Sequence, residues 1–213
     1  EGNFEGRSIL HVVAGVDAVG RELGMDAAPL LASARRKLYE ARRRRPAPMR
    51  DDKVIASWNG LAIAAFADAG VMLGRPDYID AATATAAFAL DALVVDGRLR
   101  RVFADGRADR LGQLDDHADL CHGLLCLYAA TFQPRWLAAA RSLAERMLEL
   151  FHDPQAGGFY YAPADGEELI ARTRDLEDHP TPSGNSQAAH VLLRLADLTG
   201  DPSLEEPAAG ALR

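Results

Sequence analysis

Three short stretches gather polar and ionisable side chains just ahead of long apolar runs. They are Asp51-Asp52-Lys53 with Trp58-Asn59-Gly60, Asp115-Asp116-His117-Ala118-Asp119, and Ser183-Gly184-Asn185-Ser186. Neighbouring carboxyls suit glycoside chemistry: one protonated acid donates to the leaving oxygen while a second carboxylate activates water or attacks the sugar. Asp115 and Asp116 are the candidates in the middle stretch, with Asp175 or Asp178 as partners from a later loop. His117 is a candidate proton shuttle, since imidazole titrates near neutrality. Trp58 beside Asn59 offers a stacking face next to an amide, and Phe159, Tyr160 and Tyr161 add aromatic surface for sugar rings. The structural alternative is plain: Asp, Ser and Asn are preferred helix N-caps, and acids near a helix N-terminus are stabilised by exposed N–H groups. Asp115 to Asp119 holds four ionisable groups, more than one cap requires.

The elements that must position these residues are helical. Residues 58–73 and 117–131 are apolar nearly all round, as expected of inner helices covered on both sides. Residues 136–151 instead place Arg141, Ser142, Glu145, Arg146 and Glu149 on one face, marking an outer helix. Residues 78–94 are its counterpart in the preceding pair, 185–213 begin a third, and a helix near 26–44 belongs to an earlier one. Three connectors share one plan, Gly74-Arg75-Pro76, Phe132-Gln133-Pro134 and Gly200-Asp201-Pro202, with prolines 58 and 68 residues apart. Such repetition predicts an all-α toroid of antiparallel helix pairs, here as one domain over residues 1–213. Returns from outer to inner helices at about 95–116 and 152–182 are long, and strand-like segments at 94–103 and 157–175 predict a small β-hairpin in each. Because inner helices run the same way, their first turns share one end. Trp58, Asn59, Asp115, Asp116, His117, Asp119, Tyr160, Asp175 and Asn185 are therefore expected around one mouth, Asp116 being the essential carboxylate.

Composition narrows the partners. The formal net charge is -7, and residues 1–50 alone carry +4, so the acid lies where the candidate site does. This disfavours nucleic acid, whose affinity rests on Lys and Arg. No run approaches the ~20 apolar residues of a membrane span. Cys121 and Cys126 lie five apart, which suits no disulfide and points to buried thiols in a reducing, cytoplasmic setting. Cys121-His122-Gly123 resembles a zinc-ligand motif of lanthionine-forming cyclases, but Asn59 follows Trp58 where those enzymes supply a second Cys, so no metal is expected. Neither a Walker loop nor a dinucleotide fingerprint is present, and no cofactor is expected.

Asp51-Asp52-Lys53, Ser57-Trp58-Asn59-Gly60-Leu61, Leu114-Asp115-Asp116-His117-Ala118, Gly157-Gly158-Phe159-Tyr160 and Pro182-Ser183-Gly184-Asn185-Ser186 together resemble the family of thioredoxin-domain proteins related to spermatogenesis-associated protein 20. Glu1-Gly2-Asn3-Phe4-Glu5-Gly6 resembles a segment inside that family's helical region. The resemblance implies an upstream thioredoxin-like domain followed by a six-hairpin (α/α) toroid similar to glycosidases and N-acylglucosamine 2-epimerases, of which this chain holds the later part, with exposed apolar edges. It transfers no catalytic residues. Two functions stand open: a carbohydrate-binding or carbohydrate-processing domain, hydrolase-like or epimerase-like, taking a sugar-like small molecule or glycan; and a non-catalytic ligand- or protein-binding toroid accessory to the thioredoxin-like domain.

Overall fold

Each of the three repeated connectors solves the same problem, stopping one helix and starting the next. Gly74, Phe132 and Gly200 all take left-handed φ values, +61°, +52° and +68°, and the proline two residues on opens the following helix, where its missing N–H costs nothing. Phe132 adopts this conformation without being glycine.

The computed structural model describes residues 5–6, 9–168 and 170–212, so residues 1–4 of the N-terminal segment singled out above, and Arg213, lie outside the described residues. The chain divides into two compact units, Glu1–Asp51 and Asp52–Arg213. The first holds α1 (Val16–Leu23) and α2 (Ala27–Arg43), the latter capped by Asp26, whose carboxylate accepts the Ala28 N–H at 2.9 Å. α2 is the expected early helix; α1 was not anticipated.

The second unit contains β1 (Val54–Ile55), α3 (Ala56–Met72), α4 (Pro76–Ala92), β2 (Val94–Val95), β3 (Arg98–Ala104), β4 (Arg107–Leu111), α5 (Leu114–Thr131), α6 (Pro134–Phe151), α7 (Gly184–Thr199), a short 3-10 turn and α8 (Glu205–Ala211). α3, α5 and α7 pack side by side, and α4, α6 and α8 each back onto the helix before them. The inner three run the same way: Ser57 meets Asp116 and Gly60 meets Asp119, while Gly184 meets Leu114 and Arg194 meets Leu125. α5 sits at the centre, with Leu120, Leu124, Leu125 and Leu127 fully buried. α6 turns Trp136, Ala140, Leu143, Ala144, Met147, Leu150 and Phe151 inward, an i, i+4, i+7 stripe whose large side chains each contribute about 1.5–3 kcal/mol by leaving water. Its other face carries the Arg141–Glu145 and Arg146–Glu149 pairs. Trp58, Phe66 and Met72 of α3, and Leu73 at its C-cap, are exposed.

The two long returns differ. The first is a meander in which Asp96-Gly97 and Asp105-Gly106, all with positive φ, turn β2 into β3 and β3 into β4, and β1 joins the same sheet by pairing with β3. The second was expected to form a hairpin and does not: among its described residues the only bridge pairs His152 with Phe159. Side chains take the place of a strand partner there. Arg172 donates to the carbonyls of Ala162 and Leu150, Arg174 donates to Gly157, and Asn185 fills the gap at Phe159.

α3 and α5 approach closely because Gly60 and Gly123 face each other. A Cβ on Gly60 would sit 2.5 Å from the Leu120 nitrogen and overlap the Asp119 carbonyl. Gly60→Ala should therefore lower stability by about 1–3 kcal/mol, the usual cost of overpacking; chemical denaturation monitored by circular dichroism will show it as an earlier midpoint.

Candidate functional site

α5 begins at Leu114, three residues before its expected start, so Asp116 lies in the first turn instead of ahead of the helix. Its position fixes its role. One carboxylate oxygen accepts the Ser57 N–H at 3.1 Å; the other accepts the Gln113 N–H at 2.9 Å and the Arg101 guanidinium at 2.8 Å. Asp116 thus joins the start of α3, the cap of α5 and β3, and it is wholly buried. Burial first, then Asp115, raises its pKa to about 6, against the lowering pull of Arg101 and the two backbone donors. The group expected to reach the cavity is beneath its floor.

Above that floor lies a pocket of about 310 Å³ lined by Ser57, Trp58, Asp115, Asp119, Tyr161, Thr173, Arg174, Asp175, Thr181 and Pro182. Of the nine expected residues, Trp58, Asp115, Asp119 and Asp175 meet here. Trp58 is 65% exposed, an indole offered to solvent from the first turn of α3. Asp115 is held by Arg101 through both oxygens, at 3.0 and 3.2 Å. Asp119 is one turn further along α5 and only 3% exposed, yet its Oδ1 has no hydrogen-bond partner among the described residues. Burial, reinforced by Asp115 and Asp116, pushes its pKa up to about 8. Its charged form is therefore the least favoured of the carboxylates at this mouth.

The other five lie elsewhere. His117 turns away from the mouth: its ring packs edge-on to Phe151, centroids 5.0 Å apart, and Nδ1 donates to the Gln113 carbonyl at 2.9 Å. Burial lowers its pKa to about 4, so it stays neutral and shuttles no proton at this site. Asn59 donates to the Ile55 carbonyl at 2.8 Å, closing the turn that starts α3. Tyr160 points out of the pocket, its hydroxyl donating to Asp153 at 2.8 Å and its ring flanked by the guanidinium groups of Arg172 and Arg174. Asn185 is a clamp: its amide accepts the Phe159 N–H at 2.8 Å and donates to the carbonyls of Phe159 and Asp175, both at 2.9 Å. Asp116 is the fifth. Asp178, the alternative partner, accepts the Ser183 N–H at 2.8 Å and steadies the start of α7. Cys121 and His122 diverge as well, Cys121 bonding to the Ala140 carbonyl and the His122 ring meeting His190.

Arg101, Arg174 and Thr173 were not anticipated, and Tyr161, not Tyr160, faces the ligand space. Which of the two adjacent tyrosines faces inward depends on the course of this return, which the sequence does not display. The Tyr161 backbone is fixed on both sides, its carbonyl accepting the Leu114 N–H at 3.0 Å and its N–H donating to Thr173 at 2.8 Å.

Parallel inner helices backed by an outer layer, with a polar mouth where the inner helices begin, define an (α/α) toroid of the six-hairpin glycosidase type. The solved structures agree. Cellobiose 2-epimerase from Spirochaeta thermophila superposes with a TM-score of 0.62 at 17% identity, covering 75% of this chain and 42% of that one. The GH76 α-mannanase of Bacteroides thetaiotaomicron gives 0.62 at 14%, covering 78% and 45%. At these identities the likeness establishes the fold. No family model matches the sequence. Among curated proteins the chain is homologous to human spermatogenesis-associated protein 20, with 36% identity over 94% of this chain. It spans 27% of that protein's length. No helix among the described residues is long and apolar enough to cross a membrane.

Two outcomes test this geometry. Asn185→Ala removes partners from the buried Phe159 N–H and carbonyl and should cost about 1–3 kcal/mol or more, measured by thermal unfolding. The second concerns pH. Asp119 binds its proton more tightly folded than unfolded, so it stabilises the fold at low pH and that contribution is lost as pH rises through about 8. His117 and His122, both lowered from 6.5 to about 4, act oppositely but only below about 6.5. Between pH 6.5 and 8 the melting temperature should therefore fall, and Asp119→Asn should flatten that slope.

Proposed function

We propose that the mouth of this toroid processes carbohydrate by acid-assisted cleavage of a glycosidic bond, with Asp119 as the proton donor. The observation that carries the reading is a buried carboxyl, one oxygen of which has no hydrogen-bond partner among the described residues, lining a pocket beside an exposed indole, with burial raising its pKa. Trp58 supplies a flat apolar face for a sugar ring. Asp119 donates its proton to the glycosidic oxygen as the bond from that oxygen to the anomeric carbon breaks. The second carboxylate, Asp115 held in place by Arg101 or Asp175 across the pocket, takes a proton from the attacking water or meets the developing positive charge. Hydrolysis is put ahead of epimerisation because the titratable groups that line the pocket among the described residues include three carboxyls, Asp115, Asp119 and Asp175, the groups that glycosidic cleavage uses. The family resemblance of the sequence motifs is the ground for proposing a thioredoxin-like domain upstream in the intact protein, and the two buried free thiols support a cytoplasmic setting.

The test is release of reducing sugar from a panel of neutral α- and β-linked glycans by the full-length protein. Activity is expected to fall as pH rises through about 8, and Asp119→Asn should lower kcat/KM by roughly 100-fold or more while the substrate still binds. Unchanged turnover in Asp119→Asn removes it from the chemistry. Glycan binding without turnover makes the domain the non-catalytic, accessory ligand-binding toroid, and absence of any glycan binding overturns the carbohydrate reading.

A further inference from the structure

The pocket at the mouth does not stand alone. A second pocket of about 550 Å³ adjoins it, and Tyr161 and Thr173 belong to both. Tyr161 is the wall between the two. It is half-buried, and its backbone is tied to the first residue of α5 on one side and to Thr173 on the other, so the ridge is built before any ligand arrives.

The compartments differ in chemistry. The first carries three carboxyl groups, one indole and the Arg174 guanidinium, which is paired with Asp153. The second has walls of Leu111, Tyr161, Ala162 and Pro163, surfaces that suit the apolar faces of a sugar ring. Its charges do not select an anion. The Arg101 guanidinium is already bonded to Asp115 and Asp116, and the exposed Arg110 shares the pocket with the exposed Glu167. Two carboxylates, Asp115 and Asp116, share the single Arg101 guanidinium, and the negative charge left over disfavours an acidic ligand. Each compartment alone falls within the range of about 300–1,000 Å³ that ligand pockets occupy. A single sugar ring would leave one of them empty.

We propose that the mouth is a two-compartment cleft for a neutral oligosaccharide of at least two residues, lying across Tyr161 with one residue in each pocket. This deepens the carbohydrate reading and rests on it. The ring beside Trp58 and Asp119 is the one acted on; the residue beyond Tyr161 supplies binding energy and sets the chain length preferred.

Isothermal titration of the full-length protein with neutral gluco- and manno-oligosaccharides of one to four residues tests this. Affinity should rise by about tenfold or more between one residue and two or three. Filling the second compartment with Ala162→Trp should abolish that rise, bringing the longer chains down to the affinity of the monosaccharide. Leu111→Trp fills it from the opposite wall and gives the same result if Ala162→Trp proves misfolded by circular dichroism. Equal affinity for one and four residues, or a chain-length gain that survives both filling variants, overturns the cleft and leaves the carbohydrate reading standing. Failure of every saccharide to bind overturns both.

Discussion

One buried carboxylate holds the mouth together. Asp116 accepts from the backbone at the start of α3, from the backbone at the cap of α5, and from a guanidinium on the meander of the first return. Three elements distant in sequence therefore share one acceptor group. Removing a carboxylate from water is expensive and is offset only when its lone pairs are satisfied, so this charge can be buried here only if α3, α5 and β3 are all in place. The meander is fixed by the same contact. β1 runs directly into α3 and pairs with β3, so the strand that supplies Arg101 is anchored to the helix whose first turn Asp116 holds.

Close helix packing makes that knot geometrically possible. With a side chain at Gly60 or Gly123, α3 and α5 would stand further apart, and the Ser57 N–H would leave hydrogen-bond range of Asp116. The third inner helix is set in the same way, since Gly184 packs on the Leu114 side chain with no room for a Cβ. Small residues along the inner layer thus position three first turns, and the first turns position the site. Asn185 completes the arrangement from α7, using one side-chain amide to hold backbone on both arms of the second return, at Phe159 and at Asp175.

The helical layers were legible because period and burial are written residue by residue. α6 shows its stripe in the sequence, and the connectors repeat Pro after a residue that takes positive φ. The shared mouth was legible too, since parallel inner helices must begin at one end. What each side chain does there was not. Asp115, Asp116 and Asp119 are the same residue type within five positions, and only tertiary contacts separate them: Asp116 turns to Ser57, Asp115 to Arg101, Asp119 to the open pocket. His117 was misplaced for the same reason, its rotation about α5 carrying it to the outer side against Phe151. The missing hairpin in the second return had a further cause. Its two arms share one backbone bond, from the Tyr161 N–H to the Thr173 carbonyl, but the backbone groups of Gly157, Phe159 and Ala162 are taken by Arg174, Asn185 and Arg172, partners no local pattern announces.

Charge counting around α5 explains why Asp119 is the carboxyl whose pKa rises furthest. Three carboxyls and one guanidinium cannot all be ionised in a partly buried space without strong repulsion, so a proton is retained somewhere. It goes to the group whose charged form is least supported. Asp116 has two backbone donors and Arg101, and Asp115 has Arg101 through both oxygens, whereas Asp119 has an oxygen with no donor and two carboxyls beside it. One helical turn from Asp115 or Asp116 brings Asp119 onto the same side of α5, close enough to feel both charges. The raised pKa is thus a product of the crowding itself. Asp116 acts from beneath the floor, by holding the mouth in shape and by adding to the field that raises the pKa of Asp119.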